Sequence, residues 1–112
     1  MNSLLRFRIV SDSMHPLLRV GDEIVWEKIN NPFLDLKRFD LLLFKQDQIL
    51  YCHFVWQIRP KSNVIITRAY RYLWHEDLPI APECILGKVK NCQLNFWQKL
   101  RVYLYFLLRR RS

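Results

Sequence analysis

Between residues 4 and 90 the apolar residues come in short runs, each closed by turn-forming residues, and this limits the chain to a mainly β architecture. Leu4 to Val10 partly alternates apolar residues with Arg, and Ser11 to Leu18 holds the Ser, Asp, His and Pro of a turn. Val20-Gly21-Asp22 reads as a tight turn, because Gly21 tolerates positive φ. Glu23 to Ile29 then alternates as an amphipathic strand until Asn30-Asn31-Pro32 closes it. The runs Phe39 to Phe44 and Ile49 to Ile58 flank Gln46-Asp47-Gln48, a connection short enough for a hairpin. Arg59 to Asn63 is the next turn, and Val64 to Tyr72 is rich in β-branched and aromatic residues. His75 to Pro82 is irregular, and Cys84 to Lys90 gives a last short strand.

The pattern changes after Asn91. Asn95 is placed to cap a helix from Phe96 to about Arg109, so a β unit over 1–92 and a helical segment with a basic tail over 93–112 form one domain. From Val102 to Leu108 every residue is apolar or aromatic, more than one helix face holds. The segment is too short to span a bilayer, so the expectation is an interfacial helix with Trp97, Tyr103 and Tyr105 at headgroup depth. Packing onto the β core or onto a second subunit is the alternative.

The formal charge of +8 favours a polyanion. Arg109, Arg110 and Arg111 follow the apolar run directly, which suits an anionic membrane surface better than nucleic acid. Three cysteines without paired spacing argue for reduced thiols, and no metal-ligand spacing occurs, so neither metal nor cofactor is expected. With no export signal and no run of about eighteen apolar residues, the expected location is cytoplasmic, peripheral on the inner face of the membrane.

Chemistry concentrates at Ser11-Asp12-Ser13-Met14-His15-Pro16. A serine hydroxyl becomes a useful nucleophile only beside a base and in a fixed, exposed position. A turn leaving a strand provides that position for Ser13, and its own N–H can face a developing oxyanion. The stretch resembles the S-x-S-M-x-P box of the signal peptidase I family. Leu17 to Val25 resembles the turn and strand after that box, Phe39-Asp40-Leu41-Leu42-Leu43-Phe44 its G-D-I-V-V-F segment, and Ile85-Leu86-Gly87-Lys88-Val89 its V-x-G-x-V strand. Phe39 stands where the family has glycine.

The resemblance implies the family's coiled β-sheet fold, shared with repressor-type self-cleaving domains, here with a C-terminal α-helix. It also implies a serine endopeptidase acting on a leader or signal-like peptide through an acyl-enzyme on Ser13. Ser11, Met14 and Pro16 are then the oxyanion and substrate-binding residues, with Met14 packing inward and Pro16 fixing the path of the turn. His53, in His53-Phe54-Val55, matches the histidine base of the archaeal and endoplasmic-reticulum members, with Phe54 replacing the usual arginine, a departure that bears on substrate contacts and leaves the imidazole in place. A core histidine is the rival reading of His53. Lys45 and Lys61 adjoin polar turns that desolvate an amine poorly, and Cys52 belongs to the opposite strand face from His53.

No G-D-N acid segment follows; Thr67-Arg68-Ala69-Tyr70-Arg71 stands in its place. Asp77 matches a later aspartate of the family and is the expected partner of His53, against a solvated carboxylate beside Arg68 or Arg71. A chain without a third member is a Ser–His dyad, or a degenerate module that binds a peptide or partner protein.

Overall fold

The computed structural model describes residues 4–109. Six strands form one antiparallel sheet: β1 (Leu4–Arg8), β2 (Glu23–Glu27), β3 (Leu41–Gln46), β4 (Ile49–Arg59), β5 (Val64–Arg68) and β6 (Ile85–Val89), in the order β1-β2-β6-β3-β4-β5. Helix α2 (Phe96–Arg109) follows the sheet, so the chain is mainly β with one long C-terminal helix. A four-residue helix α1 (Pro32–Asp35) also occupies the segment read from sequence as a turn. Asn31 caps it by accepting from the Phe33 N–H, and Pro32 sits in its first turn, where no N–H is needed.

Alternation along the strands divides the core in two. Leu41, Leu43, Cys52 and Phe54 join Met14, Leu18, Ile24 and Val102 in one cluster. Leu42, Phe44 and Val55 join Leu36, Ile65 and Ile80 in the other. The β3–β4 hairpin turns on Asp47 and Gln48, both at positive φ, as the mirror-image turns that match strand twist require.

Two backbone positions are set by close packing. A Cβ on Gly87 would lie 2.3 Å from the Glu27 carbonyl oxygen and 2.5 Å from the Trp26 ring, so only glycine lets β6 approach β2 this closely. Phe39 sits at φ 77, where a bulky residue costs about 1–3 kcal/mol. Its buried ring meets Phe54, Trp56 and, at 5.3 Å, Tyr103 of α2, and burial of this size contributes about as much as the strain costs. A position suited to glycine is thereby used to dock the helix.

Helix α2 begins with a reciprocal cap. The Asn95 side chain accepts from the Gln98 N–H at 2.9 Å, and the Gln98 side chain accepts from the Asn95 N–H at 2.8 Å. Val102 is fully buried against the β core, Phe106 stacks on Trp56 at 4.5 Å, and Arg101 donates to the Tyr70 carbonyl. Packing on the sheet therefore accounts for one face of α2. Among the described residues no helix is long and apolar enough to cross a membrane. Arg110 and Arg111 of the basic tail lie outside the described residues.

Candidate active site

In strand order β1 and β4 are four steps apart, about 19 Å in a flat sheet. The segment after β1 nevertheless reaches β4, so the sheet coils and brings Ser13 to His53. Ser13 Oγ lies 3.2 Å from His53 Nε2, and His53 Nδ1 lies 2.6 Å from Asp77 Oδ2.

Each residue is held for a local reason. Met14, 2% exposed, fills the first core cluster next to Ser13, and its sulfur accepts from the Tyr70 N–H at 3.2 Å. The Arg71 N–H donates to the Ser13 carbonyl at 2.9 Å. Asp12 takes the Arg71 guanidinium and the Tyr72 hydroxyl, each at 3.0 Å. These contacts also explain why β5 stops at Arg68 rather than running on to Tyr72. The N–H groups of Tyr70 and Arg71 serve the Ser11–Leu18 turn instead of a sheet ladder.

His53 lies in the middle of β4 and is buried, with Phe44 and Tyr51 rings 5.7 Å away. Cys52, its neighbour, belongs to the first core cluster, so the pleat separates the two and no Cys–His pair forms. Burial, with Cys92 nearby, pushes the Cys52 thiol up to about 12, which leaves it protonated and unreactive at neutral pH.

Asp77 is not a solvated loop carboxylate. Its side chain is 7% exposed, and Oδ2 also accepts from the Thr67 hydroxyl at 2.8 Å. The acid beside Arg68 is instead the exposed Glu76, at 4.0 Å, and the acid beside Arg71 is Asp12. A carboxylate only accepts hydrogen bonds, so the His53 proton belongs on Nδ1 and the Nε2 lone pair faces Ser13. Two groups, the His53 ring nitrogen and the Thr67 hydroxyl, thus meet one oxygen of Asp77 and fix the carboxylate in place.

Ser11 Oγ is 3.1 Å from Ser13 Oγ and weakly accepts from the Ser13 N–H at 3.5 Å. The Ser13 N–H and the Ser11 hydroxyl thus lie together beside Ser13 Oγ. A cavity of about 690 Å³ opens there, and Ser11, Ser13, His53 and Asp77 line it together with the aromatic residues Tyr51, Tyr72 and Trp74. Of the three residues expected beside the substrate, only Ser11 lines this cavity. Met14 is core, and Pro16, after a cis peptide bond, is exposed; both shape the turn. Phe54, at the position of the family's arginine, is fully buried and stacks on Phe39.

Lys45 and Lys61 do not line the cavity; His75 does, through the acid loop. Sequence reasoning missed Thr67, Arg71 and Tyr72. Thr67 belongs to the Thr67–Arg71 stretch, which holds no acid, and its hydroxyl donates to Asp77. No grouping of His, Cys, Asp and Glu suited to a metal occurs among the described residues. No family model matches the chain, and no curated protein is significantly similar to it.

Proposed function

We propose that the chain is a serine endopeptidase of signal-peptidase-like fold that cleaves a leader or signal-like peptide through an acyl-enzyme on Ser13. The observation that carries this reading is the continuous line Ser13 Oγ, His53 Nε2, His53 Nδ1 and Asp77 Oδ2, at 3.2 and 2.6 Å. The order of roles follows from the chemistry.

Ser13 Oγ attacks the carbonyl carbon of the scissile bond while its proton passes to His53 Nε2. Asp77 stabilises the imidazolium that results. The carbonyl oxygen, now an anion, accepts from the Ser13 N–H and the Ser11 hydroxyl, displacing the weak contact those groups make with each other. When the C–N bond breaks, His53 returns its proton to the departing amine, leaving Ser13 as an ester. Water then attacks the ester with His53 again as base, releasing the acid and restoring the hydroxyl. No metal or cofactor enters this sequence.

A degenerate peptide-binding module is the other expectation from sequence. It has no need of an aligned base or a buried acid, and the two short contacts weigh against it. The deciding experiment compares cleavage of leader peptides by wild type and by Ser13→Ala, with the fragments identified by mass spectrometry. Cleavage lost in the variant supports the peptidase; equal cleavage by both sinks it.

A further inference from the structure

Helix α2 carries its more apolar side away from the sheet. Val102, Tyr105 and Phe106 face the β core, while Phe96, Trp97, Leu104, Leu107 and Leu108 are all about half exposed or more. At 100° per residue these outward residues, with Leu100, cluster on one face, and Lys99 and Arg101 flank it. A helix apolar on both sides needs a second apolar neighbour. The sheet supplies only one.

The chemistry of the surroundings identifies the other. A cleft of about 720 Å³ opens between α2 and β4–β5, and Tyr103 and Leu107 line its helical wall. Four arginines line it as well: Arg38, Arg59, Arg68 and Arg109. Arg68 is 13% exposed and is engaged inside the fold, donating to the Leu73 and His75 carbonyls at 3.3 and 3.0 Å and lying over the Phe106 ring, so the exposed Arg38 and Arg59 are the cations open to a ligand here. Of the two carboxylates at this cleft, Asp77 is turned to His53, and Glu76 is 86% exposed and 4.0 Å from Arg68. The helix then ends on Arg109, with Arg110 and Arg111 next in sequence.

We propose that this face is a docking surface for an anionic phospholipid bilayer. Helix α2 lies in the plane of the interface. Its outward leucines and Trp97 enter the boundary between headgroups and acyl chains, and lipid phosphates occupy the arginine-lined cleft. At 1.5 Å per residue a helix of 14 residues spans about 21 Å, less than the hydrocarbon core, so it rests on the membrane rather than crossing it. Charge argues against a second copy as the occupant. Two chains of +8 facing through α2 would bring Lys99 and Arg101, which flank the outward face, against the same cations of the other copy.

The experiment is co-sedimentation with vesicles, whose readout is independent of peptidase activity. Wild-type protein is expected to pellet with phosphatidylglycerol-containing vesicles, and far less with phosphatidylcholine alone or in high salt. Leu104→Gln and Leu108→Gln change exposed positions, and circular dichroism checks that the fold is kept. Each is expected to weaken binding about tenfold or more. Replacing Arg38 and Arg59 by Gln is expected to flatten the salt dependence. Three outcomes would overturn the proposal: no binding to anionic vesicles, equal binding by the leucine variants, or a lipid-free dimer in sedimentation velocity that the leucine variants abolish.

Discussion

The Ser13 turn and the Asp77 loop each bring one side chain to His53, but they are held in opposite ways. Residues 11–18 are fixed by contacts that take no part in chemistry: Met14 and Leu18 in the core, Asp12 on Arg71 and Tyr72, and the Ser13 carbonyl on the Arg71 N–H. The loop carrying Asp77 is fixed at its ends, by Arg68 on the His75 carbonyl and by the Ile80–Ile65 bridge. Between those ends Trp74, Glu76 and Leu78 are exposed. Only the Asp77 carboxylate turns inward, on His53 and Thr67. The Ser13 turn is held by contacts that do not involve His53, whereas the Asp77 carboxylate is held by His53 and Thr67, with Gln46 weakly on the Leu78 and Pro79 carbonyls beside it.

That contrast separates the effects of substitution. Asp77→Asn removes the carboxylate that sets the His53 tautomer, so kcat is expected to fall about 10⁴-fold with little change in melting temperature. Met14→Ala acts on the other side of the comparison. Stability drops by about 2–5 kcal/mol in denaturant titration, while kcat of the folded fraction changes far less. A large kcat loss in Met14→Ala at full stability would erase the distinction.

Thr67→Val deletes one hydrogen bond to Asp77 and is expected to cost about 1 kcal/mol, read as roughly a fivefold loss of kcat with KM unchanged. Asp12→Asn weakens a half-exposed ion pair and is expected to shift stability by less than about 1 kcal/mol, because the core still holds the turn. The smallest effect belongs to Cys52. Since burial keeps its thiol protonated up to about 12, iodoacetamide at neutral pH is expected to leave Cys52 unlabelled in the folded protein. The same shift gives a pH dependence. The folded chain holds this proton more tightly than the unfolded one, so stability present below pH 9.0, the thiol's ordinary value, is lost as pH rises toward 12.

The comparison also explains what was legible in the sequence. The nucleophile turn is built from consecutive residues, so its motif carries position and support together, and alternation along β4 places His53 and Cys52 on opposite faces. The strand runs were legible for the same reason, apart from the end of β5, which depends on a distant turn. The acid loop has no periodicity. Whether Asp77, Glu76 or neither reaches His53 is decided by the path between Arg68 and Ile80, and tertiary contacts fix that path. Thr67 was invisible because its role follows from the register of β5 against β4. The packing face of α2 was equally hidden: a helix apolar all round does not reveal which side the sheet will take, and Phe39 at positive φ, with Trp56, selects it.

Labelling with a fluorophosphonate tests the central claim most directly, because the reagent reports an activated serine without knowledge of the substrate. The account predicts a single adduct on Ser13 in the wild type, mapped by peptide mass spectrometry, and none in Ser13→Ala or His53→Ala. An unlabelled wild type, or an adduct that persists in His53→Ala, would contradict it.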